Sequence, residues 1–177
     1  MPAADQAPLP RLTLILGGAR SGKSRHAERL VLESRLEPVY IATAEALDQE
    51  MAARIAEHRA RRSLAWRTIE EPVELGEILA RECSPARAVL VDCLTLWLTN
   101  LMVRGRPVSV EIERLSAALP DLAGPLVLVS NEVGRGVVPA DAMARAFVDH
   151  AGRLHQRIAE LANAVVFMTA GLPQRLK

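Results

Sequence analysis

Three observations predict an α/β fold with a mostly parallel central sheet between helical layers. Apolar runs of strand length alternate along the chain with segments whose apolar residues recur at helical spacing. Between the first run, Leu12-Thr13-Leu14-Ile15-Leu16, and the first helical segment lies Gly17-Gly18-Ala19-Arg20-Ser21-Gly22-Lys23-Ser24, which fits G-x-x-x-x-G-K-[ST]. Later runs such as Ala88-Val89-Leu90-Val91 and Leu126-Val127-Leu128-Val129 are apolar throughout and end on polar residues. That is the pattern of strands buried on both faces of a parallel sheet, which binds ligands at the carboxyl ends of its strands. Together these features describe a P-loop NTPase-like three-layer sandwich.

The glycine-rich stretch is the most informative part of the chain. Gly17 and Gly22 take the two glycine positions, where the backbone must bend so that successive N–H groups point at a phosphate. The anion then sits at a helix N-terminus, where unpaired N–H groups and the helix dipole favour negative charge. Lys23 is placed to reach the outer phosphates and the Ser24 hydroxyl to ligate Mg²⁺. Composition separates this loop from an ordinary strand-to-helix turn: Lys23 and Lys177 are the only lysines in a chain that otherwise uses arginine for its cations. A lysine here suits a compact point charge where a guanidinium fork would not fit.

The remaining elements follow in order. Residues 1–10, with Pro2, Pro8 and Pro10, read as a flexible leader, and 11–177 as a single nucleotide-binding catalytic domain. Pro38-Val39-Tyr40-Ile41-Ala42-Thr43 reads as a second strand parallel to the first, so that Ala42-Thr43-Ala44 opens on the P-loop edge. Leu47, Met51 and Ile55 mark an amphipathic helix over 47–62. A weaker strand is expected near 64–69, and Pro72 at a helix N1 position starts a helix through Leu75, Ile78 and Leu79. The run ending in Asp92 is followed by a helix through Leu94, Leu98 and Leu101, a break at Gly105-Arg106-Pro107, and a short helix near 110–118. After the strand 126–130 comes the polar loop Asn131-Glu132-Val133-Gly134-Arg135-Gly136. The longest helix is expected over 140–162, with Met143, Phe147, His150, Leu154, Ile158 and Leu161 as its apolar seam. Ala164 to Thr169 forms the last strand, with a short tail available as an edge strand.

Composition narrows the function. The 177 residues are half hydrophobic and carry a formal net charge of +1, so no global field draws the chain to nucleic acid. An aromatic content of 3% also leaves few platforms for stacking bases. No apolar stretch reaches the length of a membrane span and Met1 to Pro10 lacks the basic and apolar regions of a signal peptide, which points to the cytoplasm. Cys83 and Cys93 form no C-x-x-C pair and read as reduced thiols.

Several residues beyond the P-loop are placed for chemistry. Asp92, at the end of a buried strand, is the natural partner of Ser24 for Mg²⁺. His58 shares a helix face with Met51 and lies close to the face carrying Ile55. Its position fits a histidine packed at a helix end; the neighbouring Arg59, Arg61 and Arg62, whose charges oppose protonation and suit a triphosphate, shift the reading toward a nucleophile kept neutral. Glu132 and Arg135 follow a buried strand at the ligand edge, where they form either a solvated turn or a pair that orients an attacking hydroxyl and reaches a phosphate. His26 reads as structural or solvent-facing, and His150 and His155 belong to the long helix.

With these blocks assembled, the chain resembles the bifunctional adenosylcobinamide kinase and adenosylcobinamide-phosphate guanylyltransferase family of cobalamin biosynthesis. The resemblance runs from about Leu12 to the C-terminus, and its carriers are the P-loop, Tyr40-Ile41-Ala42-Thr43-Ala44, Met51-Ala52-Ala53-Arg54-Ile55 with His58, and Asn131-Glu132-Val133-Gly134. It implies two reactions: phosphorylation of adenosylcobinamide by ATP or GTP, then transfer of GMP from GTP to adenosylcobinamide phosphate through a guanylylated histidine. Carried over residue by residue, the catalytic positions are His58 and Lys23. The nucleotide positions are Gly17, Gly18, Ala19, Arg20, Ser21, Gly22, Lys23, Ser24, Ala42, Thr43, Ala44, Arg59, Ala60, Arg61, Arg62, Glu70 and Asp92. Where some relatives carry two adjacent histidines this chain has Glu57-His58, and a guanylylated carboxylate would be a labile mixed anhydride. A homotrimer is implied as well. The competing readings are a plain P-loop small-metabolite kinase without a covalent intermediate, and a non-catalytic nucleotide-binding regulatory module. The chain lacks the N-K-x-D guanine motif expected of a nucleotide switch.

Overall fold

The computed structural model describes residues 8–46, 49, 52, 53, 56 and 65–177. Seven strands form one sheet: β1 (Leu12–Gly17), β2 (Glu37–Ala42), β3 (Arg67–Glu70), β4 (Arg87–Asp92), β5 (Leu126–Asn131), β6 (Ala164–Thr169) and β7 (Leu172–Arg175). Their order is β3-β2-β4-β5-β1-β6-β7. The first six run parallel, and β7 returns antiparallel along β6 as the edge strand the tail was able to supply. Among the described residues the helices are α1 (Lys23–Glu33), α2 (Leu75–Glu82), α3 (Leu94–Val103), α4 (Val108–Ala118) and α5 (Ala142–Leu161). The helix expected over 47–62 lies largely outside the described residues, though positions 49, 52, 53 and 56 are helical.

Strand alternation sorts the core into two layers. Leu12, Leu14, Leu16, Val89, Val91, Leu126, Leu128 and Phe167 face α2 to α5, while Ile15, Tyr40, Leu90, Val127, Val129 and Met168 face Ala27 and Val31 of α1. The central strands are therefore buried on both sides, which is why their sequences read as continuous apolar runs. Each fully buried leucine among them contributes roughly 2 kcal/mol of transfer free energy. Residues 8–10 carry no regular structure, and Leu9 packs partly buried against the α1 layer.

Two sequence expectations need correction. Pro72 does not open a helix; α2 starts at Leu75. Side chains hold the backbone before it in another path: Glu71 Oε1 accepts the N–H groups of Val73 and Glu74 at 3.0 and 2.8 Å. Trp97 and Asn100 of α3 donate to the carbonyls of Val73 and Pro72 at 2.8 and 3.0 Å. These groups are satisfied outside a helical turn, so the turn gains nothing by forming there. The seam of α5 holds at Phe147, Leu154, Ile158 and Leu161, which pack on the core, but not throughout: Met143 is 65% exposed, and His155 rather than the half-buried His150 is buried. A helix of 20 residues spans about 30 Å and outruns six-residue strands of about 20 Å, so its first turns project past the sheet.

Candidate active site

The carboxyl ends of β1, β2, β4 and β5 meet at one edge, and the P-loop leaves from it. Gly17 has φ +153° and Gly22 φ +95°, and a Cβ at Gly17 would lie 2.6 Å from the Met168 carbonyl oxygen. Only glycine suits that crossing. Gly22 presses on the β6–β7 turn, with Gly171 Cα 3.3 Å from where its Cβ would be, and Gly171 donates its N–H to Ser21 O at 2.9 Å. Arg20, a non-glycine at φ +52°, completes a loop held in a sparsely populated conformation.

Lys23, 6% exposed, opens α1 and donates from Nζ to Gly18 O at 2.6 Å, with Ser21 Oγ at 3.5 Å. Burial lowers its pKa, while Cys93 and Asp92 act in the opposite direction. A phosphate entering the loop would supply the counter-charge that this partly desolvated ammonium has only at a distance. Ser24 follows on the same helix turn.

Asp92 closes β4, two strands from the P-loop strand in the order β4-β5-β1, about 10 Å away across the sheet. Tyr40 from β2 donates its hydroxyl to Asp92 Oδ2 at 2.9 Å and so fixes the carboxylate. Both side chains lie on the α1 side of the sheet, the side onto which the P-loop turns. Hydroxyl and carboxylate oxygens are the hard donors a small divalent cation takes, so Ser24 and Asp92 fit Mg²⁺ chemistry. The neighbouring Cys93 is buried, and burial, helped by Asp92, pushes its thiol up to about 11, so it stays protonated and unreactive.

In register, Ala42 lies beside both Asp92 and Glu70, so the ends of β2, β3 and β4 are level. Thr43 is wholly buried: its Oγ1 donates to Cys93 O at 2.7 Å and accepts from Cys93 N at 2.9 Å. Its hydroxyl therefore ties the β2 exit to the β4 exit. Asn100 of α3 anchors the same segment, donating to Thr43 O at 2.8 Å as well as to Pro72 O. Ala44 follows in the same irregular stretch, half-buried. His58, Arg59, Ala60, Arg61 and Arg62 lie outside the described residues.

β5 extends beyond Asp92, pairing Asn131 with Gly17, and the next residue, Glu132, donates its N–H to Gly17 O at 3.0 Å. Glu132 Oε1 accepts the N–H of Gly134 at 2.7 Å, and Oε2 is 4.0 Å from His155 Nδ1. His155 Nε2 is 2.7 Å from Ser130 Oγ, which is 3.2 Å from Thr95 Oγ1. Thr95 Oγ1 accepts the N–H of Asn131 at 2.7 Å. Arg135 does not point to the P-loop; its guanidinium lies 4.2 Å over the Phe167 ring.

The comparison with known families gives this geometry its context. The model for cobinamide kinase / cobinamide phosphate guanyltransferase matches residues 13–176. The chain belongs to that family.

Curated members agree. The bifunctional adenosylcobalamin biosynthesis protein CobP of Pseudomonas aeruginosa is 57% identical over 93% of this chain and 96% of its own length. CobU of Escherichia coli is 40% identical over 94% of this chain and 99% of its own, and CobU of Salmonella typhimurium 39% over the same shares. Solved structures carry the fold far beyond this cobinamide kinase / guanyltransferase family. The flagellar accessory protein FlaH of Methanocaldococcus jannaschii superposes with a TM-score of 0.52 at 14% identity, covering 96% of this chain and 79% of that one. The P4 protein of bacteriophage phi6, solved with ADP, gives 0.53 at 14%, covering 98% and 60%. No helix among the described residues is long and apolar enough to cross a membrane.

Sequence reasoning missed Tyr40, Thr95, Asn100, Ser130 and the inward His155. Ser130 offered a signal, a hydroxyl at the end of an otherwise apolar run. So did His155: it stands four residues after Ala151 and three before Ile158, on the same helix face.

Proposed function

We propose that this family member carries out both reactions at the single carboxyl edge described above, in the cytoplasm and as a homotrimer. Lys23 and the P-loop amides bind the triphosphate of ATP or GTP, and Ser24 and Asp92 would hold a Mg²⁺ that would supply neutralisation of the phosphate charge. In the first reaction the hydroxyl of adenosylcobinamide attacks the γ-phosphorus and a nucleoside diphosphate leaves. For the second, a neutral His58 nitrogen forms a bond to the α-phosphorus of GTP as the bond to the bridging oxygen breaks and pyrophosphate departs. The phosphate of adenosylcobinamide phosphate then displaces His58 and takes the guanylyl group. Arg59, Arg61 and Arg62 grip the phosphates, and Ala42, Thr43, Ala44, Ala60 and Glu70 complete the nucleotide contacts. Residues 11–177 act as one domain, with 1–10 a leader.

The observation that carries this reading is the desolvated Lys23 of a formed P-loop lying two strands from a Tyr40-fixed Asp92. The test is incubation with Mg²⁺ and GTP labelled at the α-phosphate, followed by denaturation. Wild type should retain label that survives alkali and is released by acid, as a phosphoramidate is, and His58→Ala should retain none. Equal labelling of both proteins, or of neither, overturns the covalent route. Light scattering in solution should give three times the chain mass.

A further inference from the structure

We propose that Glu132 is the general base of the phosphorylation step and that His155 positions it. The proposal rests on the function proposed above and adds to it the group that takes the proton from the acceptor hydroxyl. Transfer of a phosphoryl group to an alcohol releases a proton, and kinases place a carboxylate to accept it. Among the carboxylates described at this edge, Asp92 is fixed by Tyr40, Glu70 ends β3, four strands from β1, Glu45 is paired with Arg104 at 2.7 Å, and Glu71 caps the turn before α2. Glu132 stands nearest the P-loop, its own amide fastened to Gly17, and its side chain remains 22% accessible.

The polar chain behind it fixes its direction. His155 is 8% exposed at its side chain and Ser130 is fully buried, yet the two are linked at 2.7 Å inside an otherwise apolar layer. A nitrogen lone pair facing a carboxylate is repelled, so the imidazole proton belongs on Nδ1, toward Glu132, and Nε2 accepts from Ser130 Oγ. Thr95 then supports Ser130, and the Asn131 amide supports Thr95. The chain runs from the backbone of β5, through α3 and α5, back to a carboxylate beside the first P-loop glycine. A histidine serving packing alone requires no such directed chain.

The step balances without a further reagent. The acceptor oxygen forms a bond to the γ-phosphorus, the bond to the β,γ-bridging oxygen breaks, the nucleoside diphosphate leaves, and the hydroxyl proton passes to Glu132. Guanylyl transfer makes no such demand: a neutral imidazole nitrogen and an ionised phosphate oxygen both attack through lone pairs that carry no proton. Glu132 is therefore needed for one reaction and dispensable in the other.

That asymmetry is the test. Wild type, Glu132→Gln, His155→Asn and His155→Leu are assayed for phosphorylation of adenosylcobinamide with labelled nucleoside triphosphate, and for retention of α-labelled GTP on the protein. Glu132→Gln should lose about 10²- to 10⁴-fold in kcat for phosphorylation while KM for the nucleotide and protein labelling stay near wild type. His155→Leu should lose about 10- to 100-fold in the same kcat. His155→Asn, which still offers an N–H toward Glu132, should recover part of that loss. Full phosphorylation by Glu132→Gln overturns the assignment, as does equal loss of both activities or an equal effect of Asn and Leu at position 155. If wild type itself neither phosphorylates nor labels, the functional reading fails first, and the assignment with it.

Discussion

His155 shows how one buried side chain links stability to pH. Burial holds its imidazole below the ordinary value of 6.5, with Glu132 opposing. Between 6.5 and that lower folded value the unfolded chain binds a proton that the folded chain refuses, so stability falls as pH falls through this window. Above 6.5 both states are neutral there and the contribution is constant. Urea midpoints measured from pH 8 to pH 5 should therefore decline more steeply for wild type below this value than for His155→Asn; parallel curves would show that the imidazole is not desolvated in the fold. At the same scale lie the residues sequence alone recovers. The P-loop was legible because every group facing the phosphate comes from eight consecutive positions, Gly17 to Ser24, whose spacing is the chemistry.

At the scale of elements, strands and helices were legible where one period dominated. β4 and β5 announce themselves as uninterrupted apolar runs, and α3 through Leu94, Leu98 and Leu101 falls where its spacing puts it. The start of α2 was not legible, because Trp97 and Asn100 decide the path of residues 72–74 from a different helix. Asn100 carries much of this work: it is 3% exposed and one amide nitrogen serves two carbonyls, those of Thr43 and Pro72. Asn100→Ala should cost about 1–3 kcal/mol, since both carbonyls lose their partner in a place water reaches poorly. Because Thr43 also bonds both backbone groups of Cys93, the variant should weaken nucleotide binding beyond its effect on unfolding. Denaturant titration beside nucleotide titration separates the two. Lost stability with unchanged affinity would mean that Asn100 supports the fold and not the site.

For the molecule as a whole, the sheet order decides what the sequence was able to reveal. Tyr40 and Asp92 are 52 positions apart, and Ser130 and His155 25 apart; each pair meets only because β2 lies beside β4 and α5 brings His155 to Ser130 of β5. No local pattern encodes such meetings, whereas the convergence of strand ends on one edge follows from parallel topology itself. That convergence makes a further prediction. Under the proposed function a nucleotide at this edge would touch loops from β1 and β4, with β5 between them, and so would stabilise the folded sheet and not the unfolded chain. At one hundred times its Kd, GTP with Mg²⁺ should add about 2.7 kcal/mol. For a chain of 177 residues that is an upward shift of about 5–10 °C in Tm. Lys23→Ala should abolish most of the shift while unfolding near wild type without nucleotide, because the lysine is a charge that burial already disfavours. A variant that keeps the full shift would place the phosphates somewhere other than the P-loop.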